Sequence, residues 1–297
     1  MLHGILNVYK EKGWTSHDVV AKLRGITRQK KIGHTGTLDP DAEGVLPVCL
    51  GKAAKVSELL TEKDKAYRAV LLLGTVTDTQ DISGTVLEKR GTAALREEET
   101  AEVIRGFTGA YDQIPPMYSA LKVNGRRLYE LAREGKTIER KARTVTIHDI
   151  QILRMELPRV ELEVSCSKGT YIRTLCHDIG ERLRTGGCME SLLRIRSGPF
   201  DIGESYKLEY LQEMMEQGDL EKLLIPIDAV FSQYKKIQIK QELDSRLKNG
   251  NPFAVHGLES GFSDQEYVRM YDPAGSFAAV YKYVQEEDRF RPVKMFL

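Results

Sequence analysis

Between residues 33 and 47 the chain reads GHTGTLDPDAEGVLP, and no other stretch restricts the fold as tightly. Its three glycines (Gly33, Gly36, Gly44) and two prolines (Pro40, Pro47) disfavour a helix or a central strand. Glycine raises the entropic cost of regular structure, and proline lacks the backbone donor that such structure needs. An ordered loop is what that composition supports. Asp39 stands before Pro40, whose ring biases it to extended backbone, and the glycines leave room for a second backbone or a substrate to approach. On these grounds alone Asp39 is either an ordinary turn residue or a reactive carboxylate held by a loop.

Periodic segments flank the loop. Val19, Val20, Leu23 and Ile26 lie at near-helical spacing over 17–28, with Ser16 as a candidate N-cap. AYRAVLLLGTVTDT and GTVLEKR read as strands around a turn at Asp81–Gly84, and EEETAEVIRGF as a helix. TVTIHDIQILRME and RVELEVSCS alternate as half-buried strands do. KGTYIRTLCHDIGERLRTGG predicts a helix of about five turns stopped near Gly186. Residues 111–143 are irregular, broken at Pro115-Pro116 and Asn124-Gly125, with a short helix in GRRLYELARE. After a helical stretch near 207–224, residues 233–297 hold short β-like pieces, which predicts a small β-rich domain.

Net charge is only +1, but its distribution is uneven. Residues 22–31 carry Lys22, Arg24, Arg28, Lys30 and Lys31 with no acid, and residues 122–143 carry eight basic residues against three acids. Such clustering fits a phosphate-binding face and also a plain solvated surface. Cys49, Cys166, Cys176 and Cys188 are too dispersed for a zinc site and are expected to be reduced and partly buried. The lone His177-Asp178 pair has no second His/Asp set beside it, so no metal is expected. No apolar run approaches the roughly 20 residues that cross a bilayer, and MLHGILNVYKEKGW is unlike a signal peptide. The expected location is the cytoplasm.

GHTGTLDPDAEGVLPVCLGKAAK closely resembles the catalytic segment of the TruB family, the tRNA pseudouridine-55 synthases. KAYRAVLLLGTVTDTQD, IPPMYSALKVNGRRLYELAREG, and CSKGTYIRTL followed by LLRIRSGPF match further motifs in the family's order. With GILNVYKEKGWTS they cover residues 4–200, and KNGNPF with the β-rich tail resembles the family's PUA-type RNA-binding domain. The resemblance implies an α+β catalytic domain over 1–232, on a largely antiparallel mixed sheet, with a thumb-like insertion at 111–143. A PUA-like domain over 233–297 is implied to follow.

It also implies a reaction that breaks the uridine N1–C1′ bond, turns the base and rejoins it through C5, with no cofactor. By the resemblance Asp39 is the essential carboxylate, Arg173 its partner, and Tyr67 the aromatic against the flipped base and a candidate for proton transfer. His34 intrudes as the nucleotide leaves, Leu192 packs on the base, and Asp81 and Tyr171 lie near it. Lys122, Arg126 and Arg127 are candidate phosphate contacts. The implied partner is the tRNA T-arm, read by a monomer without guide RNA, because guide-dependent relatives lack the thumb-like insertion. A protein valued chiefly for binding or folding RNA is the alternative of another class. A zinc deaminase is disfavoured for want of an HxE…PCxxC pattern. Two departures stand out: YKEKG replaces the family's DKP and Gly-containing turn, putting Tyr9 and Glu11 beside Lys10, and Leu193 replaces an arginine before Arg194.

Overall fold

The computed structural model describes residues 1–123, 125–254 and 261–297. The chain opens with β1 (Gly4–Lys10), α1 (Ser16–Thr27), β2 (Ile32–His34), β3 (Glu43–Leu50) and α2 (Ser57–Thr61). Next come β4 (Lys65–Leu73), β5 (Thr75–Thr77), β6 (Val86–Lys89), α3 (Glu97–Arg105) and β7 (Gly109–Gln113). The following excursion holds β8 (Lys122–Val123), β9 (Arg126–Arg127) and α4 (Leu128–Arg133). β10 (Arg143–Glu156), β11 (Arg159–Cys166), α5 (Ile172–Arg182), β12 (Gly187–Ser197), β13 (Phe200–Asp201) and α6 (Leu208–Glu216) come after it. The tail contains β14 (Lys235–Gln238), α7 (Asp244–Lys248), β15 (Phe253–Ala254), β16 (Tyr267–Tyr271), β17 (Phe277–Val284) and β18 (Arg289–Met295).

Nine strands form one sheet in the order β1-β3-β12-β4-β11-β10-β7, with β2 also on β3 and β13 on β12. The pairs are antiparallel except β3 with β12, where Leu193 meets Glu43 and Arg194 meets Gly44. This is the α+β, largely antiparallel mixed sheet expected from the sequence. The period-2 alternation of β4 and β11 sends Ala69, Leu71, Leu73, Leu162 and Val164 to one face, where Ile172, Leu175, Cys176 and Ile179 of α5 cover them. That packing fixes α5 over the sheet. At the β1 end of the sheet, α1 and α6 cover β1 and β3 through Val19, Leu23, Leu208 and Leu211 against Leu6, Val8, Leu46 and Val48.

The tail forms a five-stranded sheet ordered β14-β16-β17-β18-β15 with its own apolar cluster. A further cluster joins Ile5, Val45 and Cys49 to Phe231, Val280 and Phe296, so the tail sheet is packed against the first. Among the described residues, no helix is long and apolar enough to cross a membrane.

Three local expectations are corrected. The N-cap of α1 is Thr15, whose hydroxyl accepts from Asp18 N while Asp18 accepts from Thr15 N. Ser16 is buried, and its hydroxyl instead exchanges hydrogen bonds with the backbone of Leu38. The loop is also shorter than its composition suggests: Ile32–His34 and Glu43–Leu50 are strands, because both pair with each other or with β1. Finally, α5 has 11 residues, about three turns rather than five. Lys168–Tyr171 fail to join it because Gly169 takes φ +78° and Tyr171 is extended. All four cysteines are free, as expected, and they are buried rather than partly so.

Gly180 shows how closely α5 approaches the sheet. A Cβ there would lie 2.2 Å from Gly187 N and 2.3 Å from Gly186 C, both backbone atoms. Gly180→Ala should therefore lower the free energy of unfolding by about 1–3 kcal/mol. The change would appear as a drop in the urea midpoint at unchanged m-value.

Candidate active site

The loop that carries Asp39 rises from β2 and returns along β3, and three elements outside it hold it by its carbonyls. Ala42 N donates to Asp39 O at 3.1 Å, closing a turn in which Pro40 holds the position that its fixed φ favours. Thus Asp before Pro is both a turn signal and the means of presenting the carboxylate. Ser16 of α1 fixes Leu38. Lys10 of β1 is fully buried, and its ammonium donates to Pro40 O at 3.0 Å, Ala42 O at 2.5 Å and Glu11 O at 3.1 Å. Arg194 of β12 donates through Nη2 to Gly36 O at 3.1 Å and through Nε to Val45 O at 2.6 Å. At the base, Gly44 takes φ +103°, and a Cβ there would fall 2.2 Å from Arg194 O. Only glycine lets β3 begin so close to β12.

Arg173 enters from the first turn of α5 with 6% of its side chain exposed. Its Nε lies 3.1 Å from Asp39 Oδ2 and its Nη2 3.4 Å from Asp39 Oδ1. Nη1 lies 3.4 Å from Asp81 Oδ2 and donates to Thr79 O at 3.2 Å, while Nη2 donates to Tyr118 O at 2.9 Å. One guanidinium therefore bridges two carboxylates. Asp81 is kept in place by Ser83 N at 3.0 Å, Ser83 Oγ at 2.5 Å and Thr79 Oγ1 at 2.8 Å, all donating to its Oδ1. Asp39 keeps 41% of its side chain exposed.

Burial pushes the Asp39 carboxyl above its ordinary value. Arg173 and Lys10 pull it down, Asp81 and Asp41 push it up, and the net direction is upward. The guanidinium offsets desolvation without overcoming it. A raised value makes Asp39 a stronger base, and a better nucleophile once ionised, than a carboxylate on the surface.

Tyr67 on β4 is 9% exposed and sits in the core cluster with Leu38 and Ala69. Its register partner on β12 is Arg194, whose guanidinium lies beside the Tyr67 hydroxyl. Burial raises the phenol, and Arg194 pulls the other way. Leu192 pairs with Ala69, projects to the same face as Arg194 two residues on, and packs at the edge of the same cluster. Its role as a core residue is therefore real, whatever else it touches. His34 stands edge-on to His17 with ring centroids 5.5 Å apart, and its Nδ1 accepts from Gly36 N at 3.3 Å. Burial, with His17 and Arg194 nearby, lowers it to about 4, so at neutral pH it is an uncharged flat ring. Tyr171 is the N-cap residue of α5, and burial raises its phenol.

Asp39, Arg173, Asp81, Tyr67, Tyr171, His34 and Leu192 thus gather around the loop, the start of α5 and one face of β4 and β12. Of the basic candidates of the thumb-like segment, Arg126 and Arg127 are not among them. Arg126 is ion-paired with Glu134, which also takes Lys136 at 2.9 Å. Arg127 donates to Tyr129 OH at 2.8 Å. The Lys122 side chain and Asn124 lie outside the described residues. What the segment does give the site is the Tyr118 carbonyl on Arg173.

Arg194 holds the loop that carries Asp39, and sequence patterns do not single it out. Its one signal is its place two residues after Leu192 in an alternating strand, which puts a charge on the inward face. The two departures from the family's motifs prove local. Tyr9 donates to Glu43 Oε1 at 3.3 Å and Glu11 pairs with Lys207 at 2.9 Å, while Lys10 still clamps the loop. Leu193 lies between Glu43 and Arg68 in register, on the face away from Arg194. Asp178, of the His177-Asp178 pair, accepts from Tyr111 OH at 2.5 Å.

Known structures share this arrangement of sheet and helix. The fold matches a chain of the crystal structure of a Cbf5-Nop10-Gar1 complex with TM-score 0.73 and 29% identity, over 99% of this chain and 85% of that one. It matches a chain of an H/ACA RNP bound to a substrate RNA containing 2′-deoxyuridine with TM-score 0.72 and 27% identity, over 99% and 85%. Residues 24–172 match the profile of the TruB family pseudouridylate synthase N-terminal domain, and residues 173–232 that of the tRNA pseudouridylate synthase B C-terminal domain. The class is that of the pseudouridine synthases, which are isomerases.

Relatives fix the branch. The chain is 53% identical to tRNA pseudouridine synthase B of Lachnoclostridium phytofermentans and 44% identical to that of Clostridium kluyveri, each over the whole of both chains. Identity to the Bacillus pumilus protein of the same name is 39% over 99% of this chain and 98% of that one. The chain belongs to the TruB family.

The Lys10 clamp has a pH signature. Burial lowers its ammonium from 10.5 to about 8, although Glu43, Asp39 and Asp41 raise it. Between pH 8 and 10.5 the unfolded chain therefore holds a proton that the folded chain has released, and stability rises with pH across that window. Lys65, also lowered to about 8, does the same but is common to both proteins in a comparison. The unfolding free energy of wild type minus that of Lys10→Met, from urea titration, should thus rise by up to about 3 kcal/mol across the window. A difference that stays constant would show that the buried amine does not titrate there.

Proposed function

We propose that the chain converts uridine 55 in the T-loop of tRNA to pseudouridine. The observation that carries this is the Asp39–Arg173 contact, at 3.1 Å, in the segment that resembles the family's catalytic motif. A base inside a folded RNA cannot turn in place, so it leaves the stack and enters a pocket. His34, uncharged and at the mouth of the loop, takes the space left by the departing nucleotide. The flipped uracil lies against Tyr67, with Leu192 on its other side and Asp81 and Tyr171 at its edge. Stacking on an aromatic replaces part of what the base loses in leaving the RNA.

The N1–C1′ bond breaks, the uracil rotates, and C5 bonds to C1′. The proton leaves C5 and N1 ends protonated, so atoms and electrons balance with no redox partner, water or cofactor. Attack by Asp39 on C1′, addition to the base, and a glycal route all require the ionised carboxylate. Arg173 favours that form against burial. Tyr67, beside the Arg194 guanidinium, is the group suited to pass the proton.

Residues 1–232 form the catalytic unit in this reading, and 111–143 close on the T-arm as a thumb. Residues 233–297 add a PUA-like RNA-binding sheet. Lys122, Arg126 and Arg127 meet phosphates, the two arginines once RNA competes for their present partners, which gives a salt-dependent affinity. The chain acts as a monomer on free tRNA. The likeness to Cbf5-containing complexes favours a second reading, in which a guide RNA presents the substrate. The thumb-like segment, with its net positive charge, supports direct binding instead.

Asp39→Asn should abolish pseudouridine formation on a T-arm transcript while leaving RNA binding nearly intact, because the amide keeps the shape but cannot carry the charge. Carbodiimide labelling of the product, at stoichiometric enzyme and without guide RNA, reads the first result, and filter binding reads the second. Absence of pseudouridine with the wild-type protein would overturn the proposal. Activity only with added guide RNA would favour the second reading.

A further inference from the structure

The root of the thumb-like segment grips α5 at three points. Gln113, 1% exposed at the end of β7, sets its carboxamide against the backbone of Tyr171. Its Nε2 donates to Tyr171 O at 3.0 Å, and Tyr171 N donates to its Oε1 at 2.7 Å. Tyr171 is the N-cap residue of α5 and makes no side-chain capping bond of its own. Helix starts are otherwise fixed by such a cap, so here a buried amide from another strand holds the backbone at that point. Gln113 Nε2 also donates to Tyr111 OH at 3.1 Å, and Tyr111 OH donates to Asp178 Oδ2 at 2.5 Å, further along α5. The third point is Arg173 itself, which donates to Tyr118 O in the chain beyond Gln113.

Arg173 follows Tyr171 closely, in the first turn of the helix. Its contacts with Asp39 at 3.1 and 3.4 Å and with Asp81 at 3.4 Å lie at the long end of hydrogen-bond geometry. They have little slack, and a small rotation of the first turn of α5 would break them. We propose that Gln113 is a positioning residue: by fixing the start of α5 it sets the reach of Arg173 between Asp39 and Asp81, and so couples the seating of the thumb-like segment to the Asp39–Arg173 contact. The residue never approaches the reacting atoms. It acts through α5.

The consequence is a pH effect at Asp39. Arg173 of α5 and Lys10 of β1 favour the charged carboxylate, while burial, Asp81 and Asp41 oppose it. Tyr67 of β4 and Tyr171 also face this group. If Arg173 recedes, the opposing influences gain, and Asp39 holds its proton to higher pH.

This inference rests on the reading of Asp39 and Arg173 as the reacting pair. Its test is the single-turnover rate of pseudouridine formation on T-arm RNA against pH, with RNA affinity measured in parallel, for full-length wild type, Gln113→Leu and Tyr111→Phe. Gln113→Leu should bind RNA nearly as wild type does and lose on the order of 10–100-fold in rate at neutral pH, as displaced catalytic groups do. The acid limb of its rate profile should move to higher pH. Tyr111→Phe, which loses the hydroxyl between Gln113 and Asp178, should move it the same way by less. A lower rate with an unmoved acid limb, or a loss accounted for by weaker RNA binding, would overturn the positioning role. If Gln113→Leu does not fold, Tyr111→Phe decides alone: a limb moved upward sustains the role and an unmoved one overturns it. A wild-type rate without any acid limb would instead count against Asp39 as the reacting carboxylate.

Discussion

One buried guanidinium ties the site together. Arg173 meets Asp39 in the loop between β2 and β3, Asp81 and Thr79 between β5 and β6, and Tyr118 in the thumb-like segment. Separate stretches of chain therefore meet at one side chain on α5. A cation taken out of water costs several kcal/mol unless its partners are well placed, so each of those stretches is constrained by the need to present an acceptor. The same interaction fixes the chemistry, because Asp39 lies in surroundings that by themselves favour the neutral acid.

Two other buried cations, Lys10 and Arg194, are satisfied mainly by carbonyls of the loop that carries Asp39 rather than by carboxylates. This division of labour has a physical reason. A carbonyl holds a loop without adding a charge, so the loop is fixed while the negative charge of the site stays on Asp39 and Asp81. Arg194 is also the register partner of Tyr67, which places the aromatic ring and the loop of the carboxylate on one frame. Sites held by such packed supports keep the geometry that catalysis requires. Gln113 extends the frame to the thumb-like segment.

Local pattern carries a good part of this architecture. Alternation in β4, β10 and β11 marks a sheet with one buried face, and the glycines and prolines around Asp39 mark a loop. Resemblance to the TruB motifs points to Asp39, Arg173, Tyr67 and Asp81, which come together although they are up to 134 positions apart. Ser16 looks like a cap because a hydroxyl before a helix usually is one, whereas here Thr15 caps the helix and Ser16 holds Leu38. The helix at Arg173 looks longer than it is because apolar spacing does not report the φ of Gly169. Arg194 and Gln113 are invisible as functional residues for a common reason: their partners are largely backbone groups distant in sequence, and no spacing rule encodes those.

The charge of Arg173 is set against burial at Asp39. Titrating the Asp39 carboxyl in the unliganded protein, by isotope-edited infrared or carbon NMR, tests it most directly. In wild type the midpoint should lie above the value of about 4 found for an unperturbed aspartate, and it should rise further in Arg173→Met. A midpoint at or below that of free aspartate, or one that does not move when the guanidinium is removed, would show that burial and Arg173 do not set the charge of Asp39.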